Sequence, residues 1–131
     1  MLAKQSDIKS LGRLKKRSDF LWVQKQSKQH KTKWVSKGMI IELCPNEDLG
    51  VRYGLTVSKR VSKLAVTRNR VKRRLKAVVC DVLPDYKDQN FDIVLIGRVE
   101  TETREYQDLK NDLIWCLRKL GYEKSNTISS N

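Results

Sequence analysis

Between Lys59 and Lys76 the chain carries Lys59, Arg60, Lys63, Arg68, Arg70, Lys72, Arg73, Arg74 and Lys76, with no Asp or Glu among them. Nine like charges in so short a span repel one another, so they need either a solvated face or a polyanion opposite them. The chemistry open to such a group is phosphate recognition: guanidinium forks grip phosphate oxygens bidentately, and ammonium groups add point charges. A solvated helix face is the ordinary alternative for a charge run. Against it stands an apolar seam through the same residues, since Val71, Leu75, Val78 and Val82 recur at intervals of four, three and four, the spacing of one helical stripe. A helix docked by that stripe holds its cations outward in a fixed array.

Catalytic chemistry has little material. His30 is the only histidine, which weakens any Ser-His-Asp or Cys-His nucleophile and removes the usual His-based zinc ligation. Cys44, Cys80 and Cys116 lie far apart, form no C-x-x-C pair, and read as small buried hydrophobes in a reducing compartment. No catalytic residue and no protein metal site is therefore assigned.

At 131 residues the chain is the size of one domain, long enough to fold without staples. Its net charge of +13 suits a phosphate backbone, where each neutralised phosphate releases counterions. A membrane surface is the competing polyanion, but no apolar run approaches the ~18 residues that span a bilayer, and no signal-peptide core stands at the N-terminus. A cytoplasmic protein without a membrane partner is expected.

The elements that position the cations follow from charge and hydropathy. Net charge is +9 over residues 1–38, −3 over 39–50, +10 over 51–80 and −3 from Asp81 onward, so two basic blocks are separated in sequence. Residues 1–17 read as a partly disordered basic arm, 18–122 as one α/β domain and 123–131 as a polar tail. Ser18 is expected to cap a short helix holding Phe20, Leu21, Trp22 and Val23, with Lys25 to Lys33 as a polar linker. Phe20 and Trp22 stand equally well as core residues or as stacking platforms for bases. An extended segment from Trp34 resumes at Met39–Cys44, with a possible extra strand where it splits. Val51–Ser58 alternates apolar and small polar residues, and the two strands are expected to pair as a hairpin. After the basic helix, Pro84 ends the helical pattern. The unbroken apolar run Ile93–Ile96 marks a central strand. Thr101 or Thr103 is expected to cap a last helix whose Tyr106, Leu109, Leu113, Leu117 and Leu120 form a stripe, and Gly121 to stop it. A mixed sheet packed by helices accommodates this order.

With those residues in place, the chain resembles the protein component of bacterial ribonuclease P. The likeness rests on Val66-Thr67-Arg68-Asn69-Arg70-Val71-Lys72-Arg73-Arg74-Leu75 following Gly54-Leu55-Thr56-Val57-Ser58-Lys59-Arg60, with Ser18-Asp19-Phe20 upstream and Phe91 to Arg98 downstream. The resemblance implies a two-layer α/β (α+β) sandwich with a left-handed β-α-β crossover, against the right-handed form found in ~98% of cases. It implies an endoribonuclease whose catalysis and Mg ions reside on an RNA subunit, and which removes the 5′ leader of precursor tRNA. One monomeric protein per RNA is implied. By position, Lys59, Arg60, Arg68, Asn69, Arg70, Lys72, Arg73 and Lys76 would bind the RNA subunit, Asn69 also fixing the helix start, while Phe20 would bind the leader in a cleft between the first helix and the sheet. Gln24 stands one turn after Phe20, where the family often has a second aromatic, and Ser62-Lys63-Leu64 where many members have Gly-Asn. A ribosomal or general structured-RNA-binding protein remains the alternative. A DNA repressor with a recognition helix is disfavoured, because a strand and not a helix precedes the basic helix.

Overall fold

The computed structural model describes residues 11–124. Five strands and three helices run in the order β1 (Gly12–Arg13), α1 (Arg17–His30), β2 (Lys33–Val35), β3 (Met39–Pro45), β4 (Val51–Thr56), α2 (Ala65–Val82), β5 (Phe91–Gly97) and α3 (Tyr106–Lys119). Two short 3-10 turns, Leu83–Tyr86 and Val99–Glu102, flank β5.

The sheet order is β1-β4-β5-β3-β2, which puts β5 at the centre as its apolar run predicts. It pairs parallel with β4, Val51 facing Phe91 and Thr56 facing Ile96. On its other side it pairs antiparallel with β3, Met39 facing Gly97. The expected β3–β4 hairpin does not form. Both strands are adjacent in sequence, but each pairs more completely with β5, which enters between them from later in the chain. The split of the Lys33 to Cys44 segment is real, with β2 and β3 forming an antiparallel hairpin.

Alternation along β5 sorts the core into two. Phe91, Ile93 and Leu95 face α2 and α3 and join the larger cluster, while Val94 and Ile96 face α1 with Leu14, Phe20, Val23 and Cys44. The expected mixed sheet thus carries two helices on one face and one on the other. Helix α2 docks through Val71, Leu75, Val78, Val79 and Val82, all buried, each contributing about 1.5–3 kcal/mol by leaving water. Its close seat depends on Gly97, where a Cβ would stand 2.8 Å from Cγ1 of Val71.

Several local expectations shift. Of the arm, residues 1–10 lie outside the described residues, but Gly12–Arg13 pair parallel with Arg52–Tyr53 and Leu14 is buried. Helix α1 starts at Arg17, not after Ser18. Asp19 serves it by accepting from the Lys16 N–H at 3.4 Å. It also runs to His30, through most of the expected linker, because Ser27 is buried one turn after Val23 and holds the helix on the sheet. The 3-10 turn places Thr101 in the interior, where its hydroxyl accepts from the Arg98 N–H and donates to the Gly38 carbonyl. Glu105, not Thr101 or Thr103, precedes α3. Leu109, Leu113 and Leu117 are buried as expected, and Gly121 sits at φ +93° just past the helix. Cys44 and Cys116 are buried, whereas Cys80 is exposed on the outer side of α2. Glu123 and Lys124 of the tail are exposed, and residues 125–131 lie outside the described residues.

Candidate nucleic-acid interface

The strand β4 delivers the chain to the edge of the sheet, and a turn over residues 59–61 leads to α2. The Val61 N–H donates to the Ser58 carbonyl at 3.1 Å and the Arg60 N–H to the Ser58 hydroxyl at 3.2 Å, which leaves the Lys59 and Arg60 side chains exposed. Helix α2 begins after Leu64, which supplies no side-chain cap. Ser62 steadies the entry instead, its hydroxyl accepting from the Leu64 N–H. Arg68 closes the same loop, donating from Nη1 to the Ser62 carbonyl at 2.9 Å. Asn69 is five residues into the helix and exposed. It therefore does not fix the helix start, and its amide is free to face a ligand.

Helical spacing divides the cations into flanks. Arg68, Lys72 and Lys76 follow one another at intervals of four along one flank. Asn69 and Arg73 lie on the outermost line. Arg70 and Arg74 lie on the other flank, where they are engaged by the chain that follows β5. Arg70 Nη1 donates to Glu102 Oε2 at 2.6 Å, and Arg74 Nη2 donates to the Arg104 carbonyl. Lys72, Arg73 and Lys76 are exposed with no carboxylate within ion-pair distance among the described residues. The array expected from sequence is therefore present, with one of its arginines held by a glutamate.

On the opposite face of the sheet a cleft of about 350 Å³ opens between α1 and the strands. Phe20, Leu21 and Gln24 form its helical wall, and Lys33, Ile40, Glu42, Thr56, Val94 and Ile96 its floor and far wall. Phe20 is half-buried there, whereas Trp22 is 53% exposed and belongs to neither core nor cleft. Gln24 lies in the cleft, one turn beyond Phe20. Glu42 and Lys33 were not legible from the sequence as cleft residues. They face each other across the β2–β3 ladder. Burial pushes the Glu42 carboxyl above its usual range, and the Lys33 ammonium pulls it partly back.

Further along the same face of the sheet Arg52 donates from Nε and Nη2 to both oxygens of the buried Asp92, at 2.8 and 2.7 Å, and Asn46 donates to the same carboxylate at 2.8 Å. This pair ties β4 to β5 at the end of the strands away from Thr56. Thr56, at the other end of β4, lines the cleft and leads directly through Val57 and Ser58 to Lys59, so one strand connects the cleft with the cationic turn.

A docked cationic helix on one face, and an aromatic-walled cleft on the other, define a small α/β domain built to bind RNA. The ribonuclease P family model matches residues 8–121. The chain belongs to that family, the protein components of the endoribonuclease that matures the 5′ end of tRNA. The chain is 41% identical over 116 residues to the ribonuclease P protein component of Paramagnetospirillum magneticum, covering 85% of this chain and 84% of that one. The Ruegeria pomeroyi protein of the same description is 41% identical over 112 residues, 82% and 84% of the two chains. The fold is shared with the Staphylococcus aureus ribonuclease P protein at a TM-score of 0.66 and 23% identity, over 86% of this chain and 97% of that one.

Proposed function

We propose that the outer side of α2, with Lys59 and Arg60 in the preceding turn, anchors the catalytic RNA subunit, and that the cleft beside Phe20 takes the single-stranded 5′ leader of precursor tRNA. The observation that carries this reading is the seating of α2: five buried apolar residues hold it while Asn69, Lys72, Arg73 and Lys76 are exposed and the half-buried Arg68 flanks them at the helix entry. Such a helix contributes affinity without reorganising, since the cation spacing exists before the RNA arrives. Stacking of a base on Phe20 suits a leader of variable sequence, because every base offers a π-face.

Mg ions, in this reading, are held by the RNA. Among the described residues no three His, Cys, Asp or Glu side chains come together as ligands, and the face turned to the RNA is cationic. This reading assigns chemistry at the scissile phosphate to the RNA, while the cations of the protein lower the repulsion between two RNAs. One protein per RNA, acting in the cytoplasm, completes the proposal. No helix among the described residues is long and apolar enough to cross a membrane.

Reconstitution with the cognate RNA subunit tests it. At low magnesium the protein should accelerate cleavage of precursor tRNA several-fold or more. Absence of stimulation, or cleavage by the protein without RNA, would refute the proposal.

A further inference from the structure

We propose that Glu102 is a built-in competitor for RNA at Arg70, occupying the guanidinium in the free protein and giving it up only when a phosphate replaces it. The idea rests on the reading of α2 as the RNA-binding helix. Arg70 is the second of the two cations in the Arg68-Asn69-Arg70 block, and its Nη1 lies 2.6 Å from Glu102 Oε2. A carboxylate in that position offers the same planar acceptor geometry as a phosphate.

A surface ion pair formed by two freely moving chains would carry no such role, being worth little and often absent in solution. Glu102 is held differently. It closes the 3-10 turn Val99–Glu102, and the carbonyl of the preceding Glu100 accepts from both the Thr103 and Arg104 N–H groups. Thr101 beside it is fully buried and bonded to the Gly38 carbonyl. Arg104 is fixed on the other side by Asp112, at 2.6 and 3.0 Å, and its carbonyl accepts from Arg74, one turn along α2 from Arg70. The turn is thus tied to the helix at Arg74 and to the hairpin at Gly38, and the carboxylate is delivered to Arg70 with little freedom. Its side chain is 31% exposed while that of Arg70 is 50% exposed, so the guanidinium stays reachable from solvent on the side away from Glu102.

The consequence is a conditional contact. Lys72, Arg73 and Lys76 meet an approaching RNA at once, whereas Arg70 engages only where a phosphate sits close enough to exchange with Glu102. Loose polyanions gain nothing from Arg70, and a correctly seated RNA does. The pair thereby sharpens the choice of RNA at some cost in affinity.

A double-mutant cycle in the full chain, read as the Kd for the cognate RNA subunit, tests the proposal. Glu102→Gln should tighten binding about two- to five-fold, the range of an exposed ion pair, and Glu102→Ala should do the same. In an Arg70→Ala background Glu102→Gln should change Kd no more than Glu100→Gln does, Glu100 being a neighbouring carboxylate that does not touch Arg70. Unchanged or weaker binding by Glu102→Gln overturns the proposal. So does equal tightening in the Arg70→Ala background, which would reduce the effect to net charge. If Arg70→Ala alone leaves Kd at the wild-type value, Arg70 is no RNA contact, and the wider reading of the helix fails at that residue together with the competitor.

Discussion

The ring of Phe20 lies in the space that a side chain on Gly54 would fill: a Cβ there would stand 2.7 Å from both Cε2 and Cζ. The glycine in β4 is therefore the seat of the aromatic wall of the cleft. Gly54→Ala should displace the ring and destabilise the domain by about 1–3 kcal/mol, the usual cost of overpacking. Phe20→Leu keeps the volume nearly constant and removes only the aromatic face. It should weaken binding of precursor tRNA carrying a leader more than that of mature tRNA. Equal losses for the two RNAs would make Phe20 a packing residue only.

Arg68 and Lys72 share a flank of α2, yet only Arg68 also holds the loop, through the Ser62 carbonyl. Lys72→Ala should weaken RNA-subunit binding and lower the slope of log K against log salt by about one, with thermal stability unchanged. Arg68→Ala should lower the slope similarly and also destabilise the domain by about 1.5–3 kcal/mol, because the charge-assisted hydrogen bond to the Ser62 carbonyl is lost along with the charge. Binding measured at several potassium concentrations, beside thermal unfolding, separates the two. An unchanged slope in both variants would show that neither side chain meets a phosphate.

Glu42 gives the domain a pH signature. It is 8% exposed, and burial raises its carboxyl above the ordinary value of 4.5, partly offset by Lys33. With a raised folded pKa, the folded chain keeps a proton that the unfolded chain has released. The contribution is thus fully present below the ordinary carboxylate range and lost as pH rises through the folded value. Urea unfolding of Glu42→Gln should match the wild type near pH 4 and exceed it at pH 7. Because a carboxylate in the cleft repels leader phosphates, the same variant should bind leader-bearing RNA more tightly at pH 7. Stability curves that stay parallel from pH 4 to 7 would show that Lys33 compensates the buried charge completely.

Much of this was readable in the sequence where a period reports burial directly. Val71, Leu75, Val78 and Val82 spell out the docked face of α2, and with it the outward cations. Ile93 to Ile96 spell out a strand covered on both sides. What the sequence withheld depends on long-range placement. Met39–Pro45 and Val51–Thr56 read as a hairpin because nothing local reveals that Phe91–Gly97 will come between them. The stretch from Lys25 to His30 reads as linker because its helix is held mainly by Val23 and Ser27, too few positions to make a stripe. Glu42 and Glu102 are ordinary acidic residues in sequence. Only the hairpin register puts one in the cleft, and only the turn after β5 carries the other to Arg70.

The insertion of β5 between β3 and β4 also sets an order of events during synthesis. Neither strand has its sheet neighbour on that side until Phe91–Gly97 has been made, and helix α2 lacks the central part of the surface it docks on before then. At 5–20 residues per second, about 1–4 s separate the completion of Lys76 from that of Gly97. During that interval the nascent chain carries its cations without the central strand of its sheet, and Asp81, Asp85, Asp88 and Asp92 are the first acidic residues to follow the cationic stretch. Any RNA that meets the chain then meets charge alone; the geometry that distinguishes one RNA from another arrives with the central strand.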